Sequence, residues 1–347
     1  MSKEPIKQLP TFVRRTYRGG AMLGEFLGQR GACDSFRPED WISSFTAAKN
    51  KDPIEHEGIT RVLLGGREVL LTEAVDETDF GAGRTQSGLL IKFLDAAERL
   101  GIQVHPTKEY ARKVFGSAYG KTECWHILNT RPTGEPAVVY LGFREHITKE
   151  IWRDLFMRQD IPGMLGAMHR FEVRAGDTVL VTGGTPHAIG AGCFLLELQE
   201  PSDYTMRAEK TTVSGERLTP MQIHYGVGEE TMLDCFDYTP RSRAETAERF
   251  FLKPRADAQN PDITHLVTDA DTSCFQLDRI KTECTVLQKE SFITVISVQN
   301  GGSLAFGETE YPLCRGDKFF IPAGTEIVLK NAEALVCYPP NENSREE

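Results

Sequence analysis

A gapless internal repeat is the feature that most constrains the fold of this chain. Residues 176–187 align without insertion or deletion on residues 316–327, and each copy runs from a Gly-Asp turn through an apolar segment to a Gly-Thr corner. Glycine corners of this kind recur in small β-barrels and jelly rolls, where the chain turns sharply between strands. The repeat therefore predicts a mainly β protein built from two related barrel domains.

The two domains are expected at residues 1–240 and 262–347. Residues 240–261 are rich in charge and contain three prolines, so a surface connection between the domains is expected there. The two copies of the repeat differ at one informative position, because His187 of the first copy corresponds to Ile327 of the second. The second domain is therefore expected to lack any metal site that His187 serves in the first.

Two helical stretches interrupt the strand pattern of the first domain. Apolar residues recur at helical spacing between Thr148 and Met168, which predicts a helical insertion broken in two at Pro162-Gly163. A shorter helix is expected to begin after the capping residue Thr107 and to end at Gly116.

Composition limits the function classes that are open to this 347-residue chain. The formal net charge of −10 argues against nucleic acid as a partner, since binding a phosphate backbone requires a basic surface. No apolar run has the length of a membrane span, and the first residues lack a hydrophobic signal core, so a cytoplasmic protein without a membrane partner is expected. The eight cysteines are widely spaced without a CxxC pair, which favours free thiols.

Four separated polar residues form a candidate metal site. Gln103 and His105 are two residues apart in an apolar segment, and a strand directs such residues to the same face. Glu123 and His187 also lie in segments that are typical of strands or strand ends. Two imidazoles, one carboxylate and one amide oxygen suit zinc or another divalent transition metal, with a coordination position left for water or substrate. The pattern is that of a catalytic site.

Six short segments, in one order, carry a resemblance to a known family. The chain resembles the cupin superfamily and, within it, the type I mannose-6-phosphate isomerases, through residues 89–95, 102–106, 120–125, 184–188, 196–199 and 202–207. A looser match covers residues 38–43, whereas residues 61–83 match no loop of the family.

The resemblance implies two cupin (jelly-roll) domains, with the helical insertion in the first. It also implies a zinc-dependent isomerase, with one ion per chain, that interconverts mannose 6-phosphate and fructose 6-phosphate through an enediol. The family's metal ligands correspond to Gln103, His105, Glu123 and His187. Its cavity residues correspond to Lys92, Lys121, Arg207 and Glu197.

The chemistry of these residue types agrees with that reaction. Arginine and lysine can hold a phosphate or stabilise developing negative charge, which suits Arg207, Lys92 and Lys121 for substrate binding. The catalytic candidates are Arg207, Lys121 and Glu197, and the proton can be carried by Glu197, Lys121 or a metal-bound water. Lys92 lies in an apolar strand, so it is expected to face a polar cavity rather than an edge.

Simpler interpretations remain open beside these. Arg207 could be an ion-pair partner of Asp203. Five further histidines are expected to be surface or packing residues, namely His126, His146, His169, His224 and His265. Two other functions compete with the isomerase: a cupin dioxygenase that uses ferrous iron, and a non-catalytic sugar-binding cupin.

Overall fold

The computed structural model describes residues 3–132, 134–287 and 290–341, and these residues form a mainly β protein. In chain order the strands are β1 (Ile6–Lys7), β2 (Phe12–Val13), β3 (Glu39–Ile42), β4 (Arg61–Leu64), β5 (Arg67–Leu70), β6 (Leu90–Asp95), β7 (Gln103–Val104), β8 (Glu123–Thr130), β9 (Val138–Phe143), β10 (Met168–Glu172), β11 (Thr178–Val181), β12 (His187–Ile189), β13 (Cys193–Gln199), β14 (Met206–Arg207), β15 (Phe251–Leu252), β16 (Arg255–Ala256), β17 (Ile263–Val267), β18 (Gln276–Leu287), β19 (Ile293–Ser297), β20 (Ser303–Phe306), β21 (Thr309–Pro312), β22 (Lys318–Ile321) and β23 (Glu326–Tyr338). The helices are α1 (Ala21–Phe26), α2 (Leu71–Ala74), α3 (Glu77–Phe80), α4 (Lys108–Phe115), α5 (Lys149–Arg158), α6 (Ile161–Gly166), α7 (Pro220–His224), α8 (Glu229–Leu233) and α9 (Arg243–Phe250).

Two antiparallel sheets face each other in the first half of the chain. The seven-stranded sheet has the order β15-β11-β8-β13-β6-β3-β2, and the five-stranded sheet has the order β10-β9-β12-β7-β14. Apolar side chains from both sheets fill the space between them, among them Leu94, Trp125, Ile127, Val139, Leu141 and Ile189. Strand alternation supplies this shared interior, because every second residue of each strand points into it.

Helices cover the outer face of the five-stranded sheet. Trp152 and Phe156 of α5 pack with Ile102, Val104 and Ala188 from the sheet. Helix α4 begins after Thr107, whose side chain accepts a hydrogen bond from the Tyr110 amide, and ends at Gly116 in the left-handed conformation. Both ends of α4 confirm the prediction made from its capping residues.

The predicted insertion near residues 148–168 is present, but its predicted break is misplaced. Helix α5 ends before Gln159, which has a φ of 52°, and Pro162 lies in the first turn of α6. Proline is tolerated in a first turn because the amide hydrogen that it lacks has no partner within the helix there. Pro162 therefore belongs to the start of the second helix rather than to the gap.

A nine-stranded sheet packs on the outer face of the seven-stranded sheet. Its main path is β1-β22-β19-β23-β18-β17-β16, with β20 and β21 paired beside β23. The contact between the two sheets is largely apolar and includes Ile91, Phe93, Leu196, Leu277, Ile296 and Leu335. The N-terminal strand β1 pairs with β22 rather than with a strand of the first two sheets.

Residues 240–261 are more structured than the predicted surface connection. They contain α9 and β15, and β15 pairs with β11 at the edge of the seven-stranded sheet. Phe250 at the end of α9 is buried in the interior between the first two sheets. Charge and proline content predicted exposure here, but the apolar residues Phe250 and Phe251 anchor the segment to the sheet.

The internal repeat is confirmed at the level of the backbone. Its copies form the equivalent strands β11 and β22, each followed by a corner and a further strand. The glycines that open the two copies, Gly176 and Gly316, have φ values of 94° and 87°. The corner glycines Gly184 and Gly324 have φ values of 87° and 77°. Residues other than glycine rarely adopt such angles, so the same local geometry explains why glycine recurs at these positions.

Residues 61–83 form the hairpin β4-β5 and the short helices α2 and α3. Val62, Leu71 and Phe80 pack against Phe292 and Phe320 of the second half of the chain. Within the part of the chain that the structure describes, no helix combines the length and the apolar character that a membrane span requires.

Candidate metal centre and substrate cavity

Strand register brings the predicted site residues together between the first two sheets. In the five-stranded sheet, Gln103 is in register with both His187 and Arg207. In the seven-stranded sheet, Glu197 is in register with Lys92 on one side and with Trp125 on the other. Residues in register share a face of their sheet, so the side chains of these two rows face each other across the interior.

Three of the four predicted metal ligands form one buried cluster. His105, Glu123 and His187 each offer a ligand atom, and these atoms lie within 4.8 Å of one another. His105 Nε2 is 3.1 Å from one carboxylate oxygen of Glu123, and His187 Nε2 is 3.5 Å from the other. The fourth, Gln103, lies in register with His187 and lines the adjoining cavity.

Hydrogen bonds fix the orientation of both imidazoles. Nδ1 of His105 lies 2.9 Å from the Tyr204 carbonyl oxygen, and Nδ1 of His187 lies 2.9 Å from the Thr185 carbonyl oxygen. A carbonyl oxygen only accepts, so each Nδ1 donates and each Nε2 is left with a lone pair. Metal-ligating histidines are commonly oriented by such a bond.

Among the described residues, His187 Nε2 has no hydrogen-bond partner, and Glu123 Oε2 has ion-pair contacts but no hydrogen bond. A buried lone pair without a partner is costly, and a bound cation would satisfy the lone pair of His187. Burial lowers the pKa of His105 to about 3 and also lowers that of His187. The donor set is therefore two neutral imidazoles and a carboxylate, which fits a divalent transition metal.

Lys121 joins this cluster directly. Its Nζ atom is 2.9 Å from His105 Nε2 and 3.1 Å from Glu123 Oε2, and the side chain is almost fully buried. Burial opposes ionisation of Glu123, but the neighbouring Lys121 ammonium holds the pKa of Glu123 well below its ordinary value. The cluster therefore pairs an anionic ligand with a fixed cation beside it.

A small cavity of about 60 Å³ adjoins the cluster. All four predicted cavity residues line it, together with Gln103: Lys92, Lys121, Glu197 and Arg207. A larger cavity of about 520 Å³, the outer cavity, lies beside it and shares Arg15, Thr16 and Arg207 with it. None of the residues that line either cavity comes from residues 61–83.

Lys92 faces the interior, as expected, and it is paired there. Its Nζ atom is 3.0 Å from a carboxylate oxygen of Glu197 and 4.9 Å from the ring centroid of Trp41. Burial disfavours the ammonium form, but the carboxylates of Glu197 and Glu39 raise the pKa of Lys92. Burial, reinforced by the Glu123 carboxylate, raises the pKa of Glu197 although Lys92 opposes that shift.

Arg15 is a cavity residue that the sequence did not reveal. Its guanidinium bonds the Glu39 carboxylate at 2.7 Å and the Asp203 carboxylate at 3.2 Å. Arg207 instead donates to the carbonyl oxygens of Thr205 and Gln222, and it forms no ion pair with any described carboxylate. The suggested pairing of Arg207 with Asp203 is therefore wrong, because Arg15 occupies that carboxylate. No local pattern marks Arg15, whose partner Asp203 is 188 positions away.

The cavity and its metal cluster carry balanced formal charges. Four cationic side chains line the cavity, namely Arg15, Lys92, Lys121 and Arg207. Four carboxylates face them, namely Glu39, Glu197 and Asp203 in the lining and Glu123 in the cluster. A divalent ion added to this set would leave two net positive charges, which suits an anionic ligand.

The fold and the site together define a mainly β protein with a buried histidine–carboxylate candidate metal centre beside a cavity lined by four cationic side chains and three carboxylates. Comparisons with known proteins narrow this class. The mannose-6-phosphate isomerase ManA of Bacillus subtilis is 27% identical over 352 residues, which cover 97% of this chain and 100% of the relative. The chain is therefore similar to a mannose-6-phosphate isomerase along nearly its whole length.

Solved structures show that the chain shares the fold of these proteins. The mannose 6-phosphate isomerase structure from Bacillus subtilis has a TM-score of 0.75 at 23% identity, covering 97% of this chain and 100% of that one. A zinc-bound mannose 6-phosphate isomerase structure has a TM-score of 0.72 at 17% identity, covering 98% and 100%. No protein-family model matches the chain.

Proposed function

We propose that this protein is a zinc-dependent isomerase that interconverts mannose 6-phosphate and fructose 6-phosphate. The observation that carries the proposal is the cluster of His105, Glu123 and His187, in which His187 Nε2 has no hydrogen-bond partner, beside a cavity lined by four cationic side chains and three carboxylates. Similarity to the mannose-6-phosphate isomerase ManA along almost the whole chain supports the same activity.

The metal would be held by His105, Glu123 and His187, with the Gln103 amide oxygen as the fourth ligand. A zinc-bound relative supports zinc as the ion. When bound, zinc supplies a Lewis acid that polarises a sugar oxygen. The ligands come from strands of both sheets, so the ion would also tie the two sheets together.

The reaction moves one proton between C1 and C2 and another between O1 and O2, through an enediol. Glu197 is suited to accept and return the carbon-bound proton, because its raised pKa brings it closer to neutral pH. Lys121 is suited to stabilise negative charge on the sugar oxygens, since its ammonium is fixed beside Glu123. The Lys92 ammonium compensates the charge of the Glu197 carboxylate and holds that carboxylate in a fixed orientation.

The phosphate would lie at the outer end of the cavity. Arg207 lines both cavities and has no carboxylate partner among the described residues. Lys49 lines the outer cavity, with its Nζ atom 3.5 Å from the Tyr204 ring centroid and without a described ion-pair partner. These two cations are available for a phosphate, whereas Arg15 is already bound to Glu39 and Asp203.

The same proposal extends to the domains. Residues 1–240, extended by β15, would form a metal-binding cupin domain, and residues 262–347 a second cupin domain without metal ligands. The repeated corners at Gly184 and Gly324 support a common origin of the two units. The second unit has Ile327 in place of the histidine, and this residue is fully buried in its core.

An assay of purified protein on mannose 6-phosphate tests the proposal. Fructose 6-phosphate should form with the zinc-loaded protein, disappear after chelation and return when zinc is added. Absence of turnover by protein with one zinc per chain would refute the isomerase assignment while leaving the metal centre intact. Iron in the purified protein together with oxygen consumption would instead support the dioxygenase alternative, which the relatives do not favour.

A further inference from the structure

A buried ion pair connects the nine-stranded sheet to the seven-stranded sheet. Lys318 of β22 binds the carboxylate of Asp40 on β3, and both side chains are essentially inaccessible. The other oxygen of this carboxylate accepts a hydrogen bond from the Thr11 amide at 2.6 Å. The pair lies beside the apolar cluster between the two sheets, where Lys318 Nζ is 6.0 Å from the ring centroid of Phe93.

An ion pair at this place is poorly explained by stability alone. Removing two charges from water costs about as much free energy as their attraction returns, so apolar residues of similar volume often serve equally well. Unlike apolar packing, a hydrogen-bonded charge pair is directional. It therefore fixes the relative position of its two strands. Such specificity is the role to test for Lys318 and Asp40.

The strand that Lys318 holds forms one wall of the cavity. Along β3, Asp40 faces the nine-stranded sheet, so its neighbours Glu39 and Trp41 face the opposite way. Glu39 accepts hydrogen bonds from Arg15 Nε at 2.7 Å, from the Tyr17 hydroxyl at 2.7 Å and from Trp41 Nε1 at 2.8 Å.

Trp41 extends this contact to two cations that line the cavity. Its ring lies 4.9 Å from the Arg15 guanidinium carbon and 4.9 Å from the Lys92 Nζ atom. Both cations line the cavity beside the metal cluster. A displacement of β3 would therefore move Arg15 and Lys92 together.

A second polar contact fixes the end of the same strand. The Ser43 hydroxyl lies 2.7 Å from the hydroxyl of Thr294 on β19, and Gln8 Nε2 donates to Ser43 at 2.8 Å. β3 is thus held at two points by the nine-stranded sheet. The candidate metal ligands lie at other places, in or beside β7, β8 and β12.

We propose that Lys318 is a positioning residue for substrate binding, and that it acts through Asp40 on Arg15 and Lys92. The nine-stranded sheet, which holds none of the candidate metal ligands, would then contribute to recognition of the sugar phosphate by fixing the wall of the cavity. This inference rests on the proposed function for its substrate. It predicts that loss of the ion pair weakens substrate binding and leaves metal binding unchanged.

The test compares Lys318→Met, Asp40→Asn and the double variant. Lys318→Met leaves an unpaired buried carboxylate and should lower the melting temperature. The double variant removes both charges, keeps an acceptor for the Thr11 amide and should recover most of that loss. Its kcat/KM for mannose 6-phosphate should still be about 10- to 100-fold below that of the native protein, mainly through KM, with one zinc per chain retained.

A double variant with native KM and native melting temperature would overturn the proposal, because the pair would then serve stability alone. If the double variant does not fold, Thr294→Val tests the second contact with a nearly isosteric change, and native KM in that variant would also count against the proposal. Arg279→Met is the matched control, since it breaks an ion pair with Glu333 inside the nine-stranded sheet.

Binding of mannose 6-phosphate measured by calorimetry separates this inference from the proposed function. Native protein that binds the sugar phosphate without turnover would refute the isomerase assignment, and the double variant should still bind more weakly. Equal affinities of the native protein and the double variant would refute the positioning role whatever the activity.

Discussion

Glu197 on β13 lies opposite Lys92 on β6 in the sheet register, and their side chains form a 3.0 Å ion pair in the interior of the protein. Each side chain is at most 4% exposed, so neither charge is stabilised by bulk water. A lysine in an apolar strand was expected to face a polar cavity, and here the facing carboxylate comes from the adjacent strand. The pair therefore places a compensated acid, rather than an isolated cation, next to the metal cluster.

Loss of Lys92 should destabilise the protein as well as impair catalysis. Lys92→Met leaves Glu197 buried without its partner, which should lower the free energy of unfolding by about 3–5 kcal/mol. The double variant Lys92→Met/Glu197→Gln should regain much of this stability and remain inactive. Urea denaturation measures the loss and the recovery of stability, and the isomerase assay measures the loss of activity.

Lys330→Met is the control for Lys92→Met, because it breaks an exposed ion pair with Glu310 at 3.4 Å. Its effect should stay below about 1 kcal/mol. Equal losses of unfolding free energy in Lys92→Met and Lys330→Met would show that the buried pair contributes no more to stability than the exposed one.

Replacement of His187 should remove the metal. His187→Ala deletes one of two imidazoles in the cluster, so zinc content after dialysis should fall well below one per chain and isomerase activity should drop by more than about 100-fold. His169→Ala is the control, since His169 bonds the Arg241 carbonyl oxygen and lies outside the cluster. Unchanged zinc content in His187→Ala would show that the ligand assignment is wrong.

Lys49 should affect recognition of the phosphate rather than the chemical step. Its amide nitrogen is bonded to Asp203 at 2.9 Å, which holds the loop, and its ammonium lies over the Tyr204 and Tyr225 rings at the outer cavity. Lys49→Met should raise KM for mannose 6-phosphate by about tenfold with little change in kcat, as expected for one charge-assisted hydrogen bond.

The control for Lys49→Met is Lys113→Met, which removes an exposed charge from helix α4. A second comparison uses unphosphorylated mannose, whose turnover should not depend on Lys49. An unchanged KM for mannose 6-phosphate in Lys49→Met would place the phosphate elsewhere.

Sequence predicted those parts of the site that depend on local geometry. The two-residue spacing of Gln103 and His105 places both on one side of the extended segment that begins with β7, and Glu123 and His187 each begin a strand that enters the same interior. The glycine corner before His187 is likewise a local property, because the left-handed φ of Gly184 requires glycine or a similarly tolerant residue.

Features that depend on distant pairing were not predictable in this way. Arg15 reaches the cavity only because β2 and β3 place it beside Asp203, and nothing in its neighbouring residues indicates this. The pairing of β1 with β22 and the buried contact of Lys318 with Asp40 also join residues more than 270 positions apart. Hydrophobic periodicity identifies a strand but not its partner.

His126 provides a pH-dependent test that is independent of the metal centre. It was expected to be a surface or packing residue, and it is buried in β8 with Nδ1 2.9 Å from the Thr178 hydroxyl. Burial, helped by the Arg279 cation, lowers the pKa of His126 to about 4. In the unfolded chain its pKa returns to about 6.5.

Between those two pKa values the unfolded chain binds a proton at His126 that the folded protein does not. The folded state therefore loses stability as pH falls through about 6.5. Protonation of His126 in the unfolded chain lowers the free energy of unfolding by about 2 kcal/mol at pH 5 relative to pH 8. His126→Asn keeps a polar partner for Thr178 and removes the titration, so its unfolding free energy should fall by about 2 kcal/mol less than that of the native protein over this range. Thr178→Val should lower stability without changing the pH dependence. Parallel pH profiles of the native protein and His126→Asn would show that His126 is protonated equally in the folded and unfolded states.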